Sequence, residues 1–309
     1  MKKEINLTKP YMVCLIAGLC SFLWGSAFPM LKIGYKAFEI AGNDTASQIL
    51  FAGIRFFLAG VLAVVIGSIG QKKLIIPKSN EIPHVFILSI FQTVLQYFFF
   101  YIGLANTSGV KASVIIGANV FIVILLSCLV FKTEKITTRK IIGSITGFAG
   151  IILINLQGLT DGTLSFRGEG FVLISTVAYA FSSTLMKKYS SRHDTFMLSS
   201  WQFIAGGAVM IAGGLIMGGS VRADAPSDVA ILLYLAFLSA AAYSMWSLLL
   251  KHNNISSVAV YGFMNPMFGF ILSAIILGEK GEAFGIKGIC AIILVCSGIF
   301  IVNKKRKKC

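Results

Sequence analysis

The chain has 309 residues, of which 56% are hydrophobic and only 13% are Asp, Glu, Lys or Arg, with a mean hydropathy of +0.84. A soluble domain carries about 25% of those charged types, so the set here is too small to cover a water-facing surface, and lipid must be the solvent for most of it. The formal charge of +15 does not describe a nucleic-acid groove: the basic residues form short clusters between apolar runs and the tail Lys304, Lys305, Arg306, Lys307, Lys308, which fits topology signals and contact with anionic membrane lipid.

Spanning a bilayer takes about 20 apolar residues in a helix. Runs of that kind fall near 11–33, 46–69, 83–105, 109–131, 139–156, 168–187, 196–219, 229–250, 256–277 and 284–303. Lys2 and Lys3 precede the first run as in a signal peptide, but no small-x-small site follows and the run is too long for a signal core, so cleavage is not expected. Trp24 falls near the middle of the first run, away from the interfaces where membrane aromatics gather. The second run contains Arg55, the one charged residue deep in a predicted span, about 16 Å along the helix from Asp44. A charge there costs at least about 2.5–3.5 kcal/mol, so it must face a cavity or a partner. It reads as an anchor for a substrate carboxylate, as a gate, or as a structural Arg bonded to carbonyls or hydroxyls of a neighbouring helix.

The third run places Gln92 and Gln96 on one face, with Tyr97 and Tyr101 as an adjacent stripe. Amides in a bilayer either line a wet cavity or bond helices together. Asn119 lies mid-span in the fourth run. In the sixth run Tyr179 is central; the seventh opens on Trp201, an interfacial position, followed by Gln202 and the pairs Gly206-Gly207 and Gly213-Gly214, which suit close helix packing. Tyr243 and Trp246 are three apart in the eighth run. Asn265-Pro266 sits mid-span in the ninth, where the missing proline N–H frees an upstream carbonyl and kinks the helix. Glu134 and Glu279 lie just past helix ends and read as caps or gate ion pairs.

No metal or cofactor is expected. Cys14, Cys20, Cys128, Cys290 and Cys296 lie in apolar runs and Cys309 ends the chain, and His84, His193 and His252 sit near interfaces without ligand spacing. Most of the 27 Lys and Arg fall on the side of the N-terminus if the chain crosses ten times, which puts both ends in the cytoplasm of a cell with an inner membrane.

The two halves repeat an ordered set of landmarks. Trp24-Gly25-Ser26 and Lys32 align with Tyr179-Ala180-Phe181 and Lys187, Arg55-Phe56 with Gln202-Phe203, Tyr97 with Tyr243, Asn119 with Asn265, and Thr133-Glu134-Lys135 with Gly278-Glu279-Lys280. Five spans are an odd number, so the second copy enters the membrane inverted, an arrangement that places a binding site near the midplane. The expected architecture is an all-α membrane protein of ten transmembrane helices, as repeats 11–156 and 168–303 with a basic cytoplasmic tail, 304–309.

Leu23-Trp24-Gly25-Ser26-Ala27-Phe28 with Lys32, Arg55-Phe56, and Asn265-Pro266 followed by Leu277-Gly278-Glu279-Lys280 make the chain resemble the EamA-type transporters of the drug/metabolite transporter superfamily. The resemblance covers nearly the whole chain as two EamA-like repeats. It implies a ten-helix carrier, usually an exporter of amino acids or related metabolites. Where that family has a Pro in the first repeat, this chain has Asn119-Val120-Phe121, which removes the proline reason for a kink in the fourth helix. The substrate-facing set expected from residues and repeat together is Trp24, Arg55, Gln92, Gln96, Tyr101, Asn119, Tyr179, Gln202, Tyr243, Trp246 and Asn265, around a small polar metabolite such as an amino acid. A lipid flippase and a membrane-embedded enzyme acting on a lipid-linked group are the competing readings. The enzyme reading lacks a His, Asp and Glu cluster for chemistry.

Overall fold

The computed structural model of the chain describes residues 7–107, 109–155, 165–276 and 286–304. Within them every regular element is helical. Helix α1 is Pro10–Ala37, α2 Thr45–Gln71 and α3 Ile82–Ala105; α4 (Gly109–Gly117) and α5 (Asn119–Leu125) follow, then α6 Thr138–Asn155. The second half holds α7 Phe166–Ser190, α8 Thr195–Ile216, α9 Pro226–His252, α10 Ile255–Ala259, α11 Met264–Ile276 and α12 Ile286–Asn303. Among the described residues α1, α2, α3, α7, α8 and α9 are each long and apolar enough to cross a membrane, and Val114–Val130 and Gly288–Asn303 are shorter apolar helical stretches.

Local chemistry sets the ends. Pro10 and Pro226 open α1 and α9, where a missing N–H costs nothing. The Asp44 carboxylate accepts from Ser47 N at 3.0 Å at the start of α2, and Asp194 accepts from Met197 N at 2.8 Å at the start of α8. The fourth predicted run is not one smooth helix: it breaks at Ala118, whose N–H is shared between the carbonyls of Val114 and Ile115. The break forms without proline. In the ninth run a 3₁₀ turn, Val260–Phe263, joins α10 to α11 just before Pro266, which has no N–H to offer the Gly262 carbonyl.

Helix pairing follows a pattern. The closest association is α2 with α8; α6 lies against α12; α1 packs on α9 and α11, while α7 packs on α3 and on the α4–α5 stretch. The α2–α8 seam is built from glycines that leave no room for a side chain. A Cβ at Gly207 would lie 2.5 Å from the Phe57 nitrogen, one at Gly53 2.6 Å from that of Ile211, and one at Gly214 2.7 Å from that of Leu50. Gly206 faces Thr93 of α3, whereas Gly213 meets nothing within 4 Å, so one of the four expected packing glycines is open. Leu15, Ile69, Ile145, Ile216 and Phe300 remain exposed, a surface that only lipid satisfies.

The bundle end that carries the start of α1 is tied by polar contacts between connections. Glu134 accepts from Lys140 Nζ at 2.7 Å and from the Ser256 hydroxyl at 2.5 Å. Lys187 Nζ donates to the carbonyls of Lys251 and Asn253 at 3.0 and 2.7 Å, and the Asn253 amide reaches the Leu7 carbonyl at 3.0 Å. Trp201, expected at an interface, donates its indole N–H to the Ile75 carbonyl at 2.9 Å. Glu279 and the tail beyond Lys304 lie outside the described residues.

At the same end Glu81 meets His193 Nδ1 at 3.0 Å, and His193 lies beside the His84 ring, 4.8 Å between centroids. Burial by itself pushes the Glu81 carboxyl up, but the Lys78 N–H and His193 together outweigh it and hold it below its usual value of 4.5. A carboxylate with a depressed folded-state value stabilises above its unfolded value, and that stability is lost as pH falls through the folded value. Glu81→Gln is therefore expected to lower the thermal midpoint in detergent near pH 7, with the difference from wild type shrinking below about pH 4. An equal difference at every pH would contradict it.

Candidate functional site

A cavity of about 490 Å³ lies among the helices. Its wall comes from α1, α2, α3, the α4–α5 stretch, α7, α9 and the α10–α11 turn. It runs to the exposed Lys32 at the end of α1. Toward the opposite end the wall is Trp246, Leu250, Val123, Ser183 and Ala259, all buried, with the Glu134 and Lys187 contacts beyond them.

Nine of the eleven sequence-predicted residues line it: Trp24, Arg55, Gln96, Tyr101, Asn119, Tyr179, Tyr243, Trp246 and Asn265. Gln92 and Gln202 do not. Gln202 is fully buried, accepts from the Thr93 hydroxyl at 2.8 Å and donates to the Ser199 carbonyl at 3.2 Å, so it ties α8 to α3. Gln92 is buried in the π-helical turn Ile90–Leu95 of α3, one residue before Thr93. The widened turn and the Thr93 contact put this part of α3 against α8 rather than toward the cavity. Gln202→Ala is expected to destabilise the protein by about 1 kcal/mol while leaving ligand preference at the cavity unchanged. Thermal denaturation beside a competition assay checks both halves, and an altered preference would count against the geometric assignment.

Arg55 is 3% exposed. Its Nε and Nη1 are buried without a hydrogen-bond partner among the described residues, and its Cζ lies 4.3 Å from the Phe56 ring centroid and 5.8 Å from that of Tyr97. Aromatic faces soften the cost of the buried cation but leave its donors unspent. Other lining groups share that state. Trp24 Nε1, the Tyr35 and Tyr101 hydroxyls, Gln96 Oε1, Asn119 Oδ1 and Asn265 Oδ1 are all buried and unpartnered. Buried polar groups are nearly always paired, so a concentration of unpaired ones around a single void makes this void the candidate site.

Aromatic contacts hold this wall in place. Trp24 meets Tyr243 and Trp246 edge-on at 5.0 and 5.1 Å, and the Tyr97 and Tyr243 hydroxyls lie 2.9 Å apart. Phe56 stacks on Phe203 at 5.2 Å, which fixes α2 beside α8 one residue from Arg55. Among the described residues no Asp or Glu lines the cavity, and no cluster of three His, Cys, Asp or Glu could hold a metal ion.

Sequence reasoning did not single out Tyr35, Ser175, Thr176, Ser183 or Ser239, which also line the cavity. Ser175, Tyr179 and Ser183 are spaced by four and so share one face of α7, a signal present in the sequence. Tyr35 carries no such signal.

A membrane chain whose described residues are all helical and enclose a largely apolar cavity with a buried arginine in its wall has the form of a transporter. The chain belongs to the EamA-like transporter family, whose model matches residues 11–156 and 166–304. It is 29% identical over 303 residues to an uncharacterized transporter of Archaeoglobus fulgidus, covering 94% of this chain and 97% of that one. It is 26% identical over 304 residues to the uncharacterized transporter YvbV of Bacillus subtilis, covering 98% and 94%. At 22% identity over 296 residues it is similar to a probable amino-acid metabolite efflux pump of Salmonella typhimurium, with 93% of each chain covered. A solved crystal structure shares the fold, with a TM-score of 0.76 at 14% identity over 95% of this chain and 96% of that one.

Proposed function

We propose that this chain is a secondary transporter that exports amino acids or related small carboxylate metabolites across the inner membrane by alternating access. The observation that carries the reading is Arg55, a buried guanidinium with unspent donors on a cavity that no Asp or Glu lines among the described residues. A carboxylate guest accepts from those donors in the geometry an Arg suits best. The nearby Trp24, Tyr243 and Trp246 faces accommodate an apolar side chain.

In this reading the chain crosses the membrane ten times as two inverted five-helix repeats, 11–156 and 168–303, with both ends and the basic tail 304–309 in the cytoplasm. Three observations support it: the reciprocal helix pairing, in which α1 on α9 and α11 mirrors α7 on α3 and α5; the matched Asp44 and Asp194 caps; and the two segments matched by the family model. The conformation described is then outward-facing, with the cytoplasmic end tied shut. The Salmonella relative, a probable amino-acid metabolite efflux pump, favours amino-acid metabolites and efflux.

Counterflow of labelled amino acids in proteoliposomes tests the reading. Saturable exchange is expected. Absence of saturable flux across a broad panel of small carboxylates would overturn it, and turnover of a lipid substrate instead would point to the flippase or lipid-enzyme readings.

A further inference from the structure

Residues that match in the repeat meet one another in the middle of the bundle. Phe56 and Phe203 occupy corresponding places in the two halves, and they stack on each other at 5.2 Å. Tyr97 and Tyr243 also correspond, and their hydroxyls lie 2.9 Å apart. Around the Phe56 and Phe203 stack the helix contacts are reciprocal. A Cβ on Gly60 would lie 2.7 Å from the Ile204 nitrogen and 2.7 Å from the Ser200 carbonyl oxygen. One on Gly207 would lie 2.5 Å from the Phe57 nitrogen and 2.9 Å from the Gly53 carbonyl oxygen. Gly207, Ile204 and Ser200 are the counterparts of Gly60, Phe57 and Gly53 at the offset that relates Phe203 to Phe56. A contact in which each side offers the other the same patch is a two-fold contact.

Resting on the reading of the chain as inverted repeats that alternate, we infer that these counterpart contacts are a stationary pivot and that Arg55 is mounted on it. When two inverted halves exchange shapes to reach the second conformation, a contact between counterparts is carried onto itself and is kept. A contact between residues that are not counterparts is carried onto a different pair at the opposite end, so it is made in one conformation only. Glu134 with Ser256, and Lys187 with the carbonyls of Lys251 and Asn253, are of this second kind. Arg55 Cζ lies 4.3 Å from the Phe56 ring centroid and 5.8 Å from that of Tyr97, one ring from each counterpart pair. The anchor therefore keeps its place while the ends of the bundle open and close around it.

The test uses the full chain in proteoliposomes, with the native cysteines replaced by alanine and two nitroxide labels for distance measurement by pulsed electron spin resonance. One label pair spans the seam of α2 and α8 at Val65→Cys and Val209→Cys, both exposed positions. The other spans the tied end at Lys135→Cys and Asn254→Cys, also exposed. Glu134→Gln then removes the charge that receives Lys140 and weakens the acceptor for Ser256. The tied-end pair should gain a second population longer by about 5 Å or more, while the seam pair stays within about 2 Å of its original distance. Ser256→Ala, which removes the hydroxyl bond from the other side, gives the same readout if Glu134→Gln does not fold. A larger shift of the seam pair overturns the pivot, and a shift of both pairs does so while leaving alternating access standing. A tied-end pair that keeps a single distance in both variants overturns the pivot together with the alternating-access reading.

Discussion

Arg55→Ala is expected to abolish exchange while the protein still inserts and remains monodisperse. The guanidinium is buried, its Nε and Nη1 have no hydrogen-bond partner among the described residues, and Phe56 and Tyr97 hold it by their faces alone. Removing it therefore breaks no hydrogen bond recorded for those two nitrogens and relieves a desolvated charge, so stability should hold or rise slightly. Function should not survive. Losing one partner of a buried, hydrogen-bonded charge pair costs about 2–5 kcal/mol, and about 3 kcal/mol already weakens binding by roughly 150-fold. Arg55→Lys keeps the charge but not the planar fork, and should recover only part of the loss. Counterflow rates beside size-exclusion profiles make the comparison. Full transport by Arg55→Ala would remove the anchor role, and a collapsed profile would make Arg55 a structural residue instead.

Gly207→Val should be the most damaging single change outside the cavity. A Cβ at that position lies 2.5 Å from the Phe57 nitrogen and 2.9 Å from the Gly53 carbonyl oxygen, both backbone atoms that no rotamer change can move aside. The seam between α2 and α8 must then part along its length, since Gly53 and Gly214 depend on the same close approach. Overpacking a well-filled contact costs about 1–3 kcal/mol, and a backbone clash in a helix seam should exceed that range. Loss of folded protein after solubilisation, or a large drop in thermal midpoint, is the expected outcome. Gly213→Ala is the control: nothing lies within 4 Å of its Cβ, and it should be silent or slightly stabilising.

The apolar runs were legible because run length is a local property of the chain and lipid punishes exposed backbone everywhere alike. Trp24, Arg55, Asn119 and Asn265 were legible as members of one neighbourhood for a related reason: a polar or mid-span aromatic group inside an apolar run needs special surroundings, and the cavity supplies them. Gln202 shows the limit. It gives the same signal as Gln96, but its destination depends on Thr93, 109 residues earlier in the chain, and on a π-helical turn that no composition reveals. Ser175 and Ser183 carry a signal only through their spacing from Tyr179, since a serine in a membrane helix is commonplace and can bond its own backbone, and Tyr35 has no such spacing to mark it. The break at Ala118 was hidden for the opposite reason. Proline was the signal sought, and the helix is interrupted without it.

That interruption has a mechanical consequence. An intact helix resists bending because its ladder of amide bonds must be stretched, whereas at Ala118 one N–H is divided between two carbonyls and at Val260–Phe263 the ladder changes to the poorer 3₁₀ pattern. Bending is therefore easiest at these two places along the chain. Stiffening either joint would resist bending at points set in the cavity wall itself, where Asn119 and Gly262 lie.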